Sequence, residues 1–179
     1  MEANVRFTHQ ALVEQSKQGN RNAQHQLYGL YVDAMFNVAM RLLTIREDAE
    51  DVIQESFVEA FKKMDSFRFE STFGAWLKRI VINRSINHLK AKRLLLSSLE
   101  NEGEPAEENE IEGSQDFEIE KIKTGLGQLP EGYKQIITLY LIEGYDHVEI
   151  GEILGISTST SKSQYHRAKK KLVQIVNEL

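Results

Sequence analysis

The sequence predicts an all-α protein: two small helical domains joined by a flexible acidic linker. Three observations predict it. On both sides of a central segment, apolar residues recur at intervals of three and four, the period of a helix that buries one face. Nine of the chain's 27 acidic residues fall between Glu100 and Glu118, a stretch with no Lys or Arg, with Gly103, Pro105 and Gly113, and with few apolar residues to bury. Such a composition cannot form a core and reads as a linker. Near the C-terminus, a short apolar helix, a glycine turn and a basic helix follow one another, the layout of a helix-turn-helix.

The 179 residues suffice for one ordinary core or two small ones. The absence of cysteine excludes disulfides and thiolate zinc sites and fits a reducing compartment. No stretch approaches the run of about 20 apolar residues that spans a bilayer, and the N-terminus lacks the apolar core of a signal peptide. A cytoplasmic protein is expected. The net charge of -5 averages over segments of opposite sign. With the acidic segment set aside, the remainder is net basic, and both Ser71–Leu99 and Ser157–Asn177 contain no acid at all.

The first domain, residues 1–96, reads as helices. A short N-terminal helix closes at Gly19-Asn20. Asn22 is expected to cap a helix whose stripe is Leu27, Leu30, Tyr31, Ala34, Met35, Val38 and Leu42. The next runs from about Arg46 to Met64, with Ala49, Ile53, Phe57, Ala60, Phe61 and Met64 inward and an acidic face outward. Thr72 is expected to cap a third, in which Trp76, Ile80, Val81 and Leu89 point to a core.

The linker is placed at 97–116 and the second domain at 117–179. Here a helix near Phe117–Gln128 precedes Pro130, which suits the first turn of a helix reaching Ile142, and Gly144 ends it. "DHVEIGEILGIS" gives the first helix-turn-helix member, with Gly151 small where helices approach and Gly155 at the bend. In the second member Ser161, Tyr165, Ala168, Leu172 and Ile175 form the inward face. The outward side offers Ser159, Thr160, Lys162, Ser163, Gln164, His166, Arg167, Lys169 and Lys170. Short hydroxyls let the backbone approach phosphates, while Lys162 and Gln164 are long enough to reach base edges. A solvated basic helix favoured by its own dipole would explain the lysines alone. The glycine-turn helix before it is what points to DNA.

Three stretches together carry a family resemblance: "EDAEDVIQESFVEAF", "FGAWLKRIVINRSINHLKAKR" and "LPEGYKQIITLYLIEGYDHVEIGEILGISTSTSKSQYHRAKKKL". In this order, around a variable acidic linker, they resemble bacterial RNA polymerase sigma factors of the extracytoplasmic-function (ECF) group. The resemblance implies a region 2-like first domain, a region 4-like second domain and an alternative sigma factor that lends promoter specificity to core polymerase without catalysis or a cofactor of its own. It implies that the acidic helix, through Asp48, Asp51, Gln54 and Glu55, docks on a basic coiled coil of the largest polymerase subunit, and that the flap of the second subunit is a further contact. It places the -10 element at the loop "MDSFRFESTFGAW" and the helix after it. Capture of an unstacked base wants ring faces and cations, supplied by Phe67, Arg68, Phe69, Lys78, Arg79, Asn83 and Arg84, with Lys90 on duplex phosphates. Phe73 and Trp76 read as core instead. The basic C-terminal helix would read the -35 element. An inhibitory anti-sigma partner fits the same resemblance.

Two departures stand out. The family has an apolar β-branched residue where Ser161 stands and a basic one where Gln164 stands, so Ser161 weakens the prediction that this face packs inward, and the -35 base sequence does not carry over from other members. Competing chemistries lack their residues. The five histidines have no metal-ligand spacing, Gly125-Leu-Gly127 lacks the rest of a phosphate loop and reads as a loosened helix end, and the acidic segment lacks the residue placement of a calcium loop. A dimeric helix-turn-helix repressor or activator and a purely protein-binding helical adaptor are the alternative classes.

Overall fold

The computed structural model describes residues 9–98 and 117–179. The acidic stretch expected to be a linker lies almost wholly outside them. Contacts divide the chain into two compact units, Met1–Ala91 and Lys92–Leu179, and the described residues contain helices and no strand.

The first unit holds α1 (Gln10–Lys17), α2 (Arg21–Leu43), α3 (Arg46–Lys62), a 3-10 turn at Met64–Ser66 and α4 (Phe73–Ser98) as far as Ala91, the last residues of α4 falling past the boundary. The cap of α2 is Asn20 rather than the expected Asn22. Its Oδ1 accepts from the backbone N–H groups of Asn22 and Ala23 at 3.0 and 3.1 Å, and Gly19 at φ 82 turns the chain into the helix two residues before the expected cap. The buried face of α2 also differs from the expected stripe. Ala23, Leu27, Met35, Val38, Ala39, Leu42 and Leu43 are buried, whereas Leu30 is 51% exposed and Ala34 also faces outward. The α3 stripe stands as expected, with Ala49, Ile53, Phe57, Ala60 and Met64 buried and Phe61 half-buried. Thr72 Oγ1 accepts from the N–H of Ala75 at 3.1 Å and starts α4. Leu77, Val81, Ile82, Ile86 and Leu89 of α4 are buried, while Ile80 is half-buried.

The second unit holds α5 (Phe117–Gly127), α6 (Glu131–Ile137), α7 (His147–Leu154) and α8 (Thr158–Glu178). Leu129, Ile137, Ala168 and Ile175 form its centre, covered by Leu126, Tyr133, Tyr165 and Leu172. Gly125 does not loosen a helix end. A Cβ there would stand 2.9 Å from Val176 Cγ2 and 3.1 Å from Leu172 Cδ1, so the glycine lets α5 lie directly on α8. After Ile137, α6 widens into a π-helix over Thr138–Ile142, with the N–H of Glu143 donating to the carbonyl of Thr138 at 2.9 Å. Asp146 caps α7 in a full capping box with Glu149. Gly155, at φ 72, turns the chain into α8, and a Cβ on Gly151 would come within 2.7 Å of the Ile156 carbonyl. Only glycine at 151 permits this close turn.

Candidate functional site

Three surfaces carry the residues singled out in the sequence. The first is the outer face of α3 against α4. Asp51, Gln54 and Glu55 are exposed one helical turn apart, whereas Asp48 is half-buried with Oδ1 3.2 Å from His88 Nε2. Glu55 is not an isolated carboxylate. Arg84 of α4 donates from Nη1 to Glu55 Oε2 at 2.7 Å and from Nε to Glu59 Oε2 at 2.5 Å, while Lys63 Nζ donates to Glu59 Oε1 at 2.6 Å. The hydrogen bond from Lys63, followed by that from Arg84, holds the Glu59 carboxyl below the usual glutamate range, and Glu59 in turn raises the Arg84 guanidinium. Gln54, Glu55, Val58, Glu59, Lys62, Lys63 and Arg84 line a groove of about 530 Å³. Arg84, assigned from the sequence to the -10 surface, is therefore held on the acidic face in this conformation. Two carboxylates satisfy its fork, which no pattern within α4 could have shown.

The second surface is the loop between the 3-10 turn and α4. Phe67, expected to offer a ring for stacking, is only 3% exposed. Its ring meets Phe69 at 4.8 Å, Trp76 at 5.3 Å and Phe73 at 5.8 Å between centroids, so it anchors the loop and its faces are covered. Phe73 is buried, as the sequence indicates, and continues the chain of rings to Tyr31 at 5.2 Å. A Cβ on Gly74 would stand 2.9 Å from Tyr31 Cε1, so glycine makes room for that ring. Phe69 is half-buried and adopts a left-handed backbone at φ 58, a conformation that costs a side-chain-bearing residue roughly 1–3 kcal/mol. Arg68 between the two phenylalanines is exposed. A cavity of about 290 Å³ opens beside the loop, lined by Ser66, Phe67, Arg68, Glu70, Ser71 and Trp76. It offers one partly open indole, one cation, one carboxylate and two hydroxyls. On α4, Asn83 is exposed and Lys78, Arg79 and Lys90 are half-buried.

The third surface is α8. Its inward face is the expected one, with Ser161, Ala168 and Ile175 buried and Tyr165 and Leu172 half-buried. The helix opens on a hydroxyl cap, in which Ser157 Oγ accepts from the N–H of Thr160 at 3.1 Å and lies 3.0 Å from Ser159 Oγ and 2.7 Å from Thr160 Oγ1. Ser163 donates to the Thr160 carbonyl at 3.0 Å. These hydroxyls thus satisfy the helix's own first turn. Lys162, His166, Arg167, Lys169 and Lys170 project outward, and Gln164 is half-buried.

Ser161 packs inward despite its hydroxyl and is fully buried. Its Oγ lies 2.9 Å from His147 Nδ1 of α7, and the imidazole stacks on Tyr140 at 4.6 Å and 16°. Tyr165 closes the cluster at 4.5 Å from Tyr140. The π-helix carries Tyr140, and the pair His147–Ser161 makes a polar contact between the two helix-turn-helix members. His147 and Tyr140 carry no motif, so the sequence alone did not single them out. Among the described residues no group of His, Asp or Glu is arranged to hold a metal, and no helix is long and apolar enough to cross a membrane.

The chain matches the sigma-70 region 2 family over residues 27–94 and the sigma-70 region 4 family over residues 119–172. It is 33% identical to the ECF RNA polymerase sigma-E factor of Haemophilus influenzae over 188 aligned positions covering 97% of each chain. It is 27% identical to the ECF RNA polymerase sigma factor SigW of Bacillus subtilis, covering 93% of this chain and 96% of that protein. Among solved structures, the sigma factor RpoE of Bartonella quintana, in complex with the anti-sigma factor NepR, matches with a TM-score of 0.61 at 25% identity, over 86% of this chain and 96% of that one.

Proposed function

Because the chain belongs to the sigma-70 family, as an ECF RNA polymerase sigma factor, we propose that its first unit grips core polymerase and opens the -10 element while its second reads the -35 element. It is an alternative sigma factor that directs promoter-specific transcription initiation. Its partners are core RNA polymerase and promoter DNA, and it works in the cytoplasm, where that polymerase acts. The chemistry of RNA synthesis belongs to the polymerase, and this chain adds no catalytic step. The observation that carries the proposal is the pairing of both family regions in one chain with a relative matched along 97% of each sequence.

Residue roles follow from charge and access. Asp51, Gln54 and Glu55 give α3 an open acidic edge that complements a basic coiled coil, where opposite charge speeds encounter and fixes register. Asp48 supports that edge from beside His88. Arg68, Phe69 and Asn83, with Lys78, Arg79 and Lys90, serve the separated strand and its flanking duplex. Lys162 and Gln164 reach base edges, while Ser159, Thr160, Ser163, His166, Arg167, Lys169 and Lys170 approach the backbone. Residues 1–96, 97–116 and 117–179 act as core-and--10 domain, tether and -35 domain. An anti-sigma partner and a contact of the second unit with the polymerase flap complete the assignment, the former supported by the Bartonella quintana complex.

Transcription in vitro with purified core polymerase tests this. Initiation from a defined promoter only when the chain is added is expected. A chain that neither binds core nor redirects initiation, or that instead protects a twofold-symmetric duplex by itself, overturns the proposal in favour of a self-sufficient regulator. Asp51→Arg should weaken core binding about tenfold while leaving the fold intact. It is a cleaner probe than reversing Glu55, whose replacement by arginine would also set a second cation beside Arg84.

A further inference from the structure

Lys17, the last residue of α1, reaches fifty positions along the chain to the loop before α4. Its Nζ donates to the Phe67 carbonyl at 2.5 Å and lies 5.0 Å from the centre of the Phe69 ring and 5.9 Å from that of Phe67. One ammonium therefore holds both neighbours of the exposed Arg68: the carbonyl before it and the ring after it. Phe69 stands in the left-handed region at φ 58, which a phenylalanine keeps only where surrounding contacts fix it. The Phe67 ring is fixed from beneath by Phe73 and Trp76. Lys17 adds a hold at the Phe67 carbonyl and at the Phe69 ring, on either side of Arg68.

We propose that Lys17 is a positioning residue for the -10 loop, clamping Phe67 and Phe69 so that Arg68 and the adjoining cavity stand ready for an unstacked base. The function of the clamp rests on the assignment of this loop to the -10 strand; its existence does not. Without the ammonium, Phe69 relaxes from its left-handed conformation, Arg68 turns with it, and the cavity walls formed by Phe67 and Trp76 lose their spacing. α1 is thereby coupled to promoter opening.

The single tryptophan, Trp76, lines the cavity and reports on the loop in the full-length chain without any DNA. Lys17→Met keeps the apolar stem and removes the donor and the charge, whereas Lys17→Arg keeps both. Acrylamide quenching of Trp76 should increase about twofold in Lys17→Met and stay near the native value in Lys17→Arg. Holoenzyme made with Lys17→Met should open a promoter, read by permanganate reactivity of the -10 thymines, about tenfold more slowly. Core binding and -35 duplex binding should be unchanged, and Lys17→Arg should restore opening. Unchanged quenching in Lys17→Met overturns the clamp. Increased quenching with unchanged opening leaves the clamp standing and overturns the assignment of this loop to the -10 strand. Equal defects in the Met and Arg variants show that only the exact lysine packing matters and also overturn the clamp.

Discussion

Arg84 Nε stands 2.5 Å from Glu59 Oε2 while its Nη1 reaches Glu55, so one guanidinium of α4 ties together two carboxylates a helical turn apart on α3. The Arg84 and Glu59 side chains are 37% and 20% exposed and Glu55 is 62% exposed, which places the strength of the network at its inner end. Removal of the guanidinium leaves Glu59 partly buried with only Lys63 to satisfy it. Arg84→Gln should therefore destabilise the first unit by about 1 kcal/mol, with a Tm lower by roughly 4–8 °C in thermal unfolding followed by circular dichroism. Arg84→Lys should recover less than half of the loss, because a single ammonium cannot bridge both carboxylates.

The same network fixes a dependence on pH. The Glu59 carboxyl is held below its usual value of about 4.5, first by Lys63 and then by Arg84. A carboxylate lowered in the folded state contributes stability that is fully present above the unfolded value and is lost as pH falls through the folded one. Glu59→Gln should be less stable than the native chain at pH 7, and the gap should close on acidification below pH about 4, measured by urea unfolding across that range.

Burial pushes the Lys134 ammonium down from its usual value of 10.5, with Glu131 opposing in part. For a cation the sign is reversed. The folded state disfavours the charged form, so the cost is present below the folded value and disappears as pH climbs towards the ordinary one. Lys134→Met should raise the Tm at pH 7, and the gain should shrink near pH 10.

His147 and Ser161 should behave as a unit. Ser161→Val strands the imidazole against a methyl group and should cost about 1 kcal/mol. His147→Leu combined with Ser161→Val should recover most of it, since both partners are then apolar. A double-mutant cycle in thermal unfolding reads the coupling, and additive losses would contradict it.

On α8, Lys169→Ala should weaken duplex binding by the second unit across all sequences and reduce the salt slope by about one. Lys162→Ala and Gln164→Ala should instead change which -35 sequence is preferred, by roughly 1–3 kcal/mol at one position in a competition assay. An equal loss on every duplex would show that neither side chain reads bases.

The sequence by itself determined the helical class, the two-part division, the family, the stripe of α3 and both faces of α8. Each of these is written in local order, because a helix repeats its own faces every three or four residues. Contacts between distant positions are not written that way. Lys17 meets Phe67 across fifty residues, Arg84 meets Glu55 across twenty-nine, and Ser161 meets His147 across fourteen. Tertiary structure alone decided that Phe67 is an anchor with covered faces, that Arg84 rests on the acidic face, that Gly125 is a packing contact and that a buried serine has its partner. Periodicity tells a residue which side of its helix it is on; only the packing of one helix against another says what it finds there.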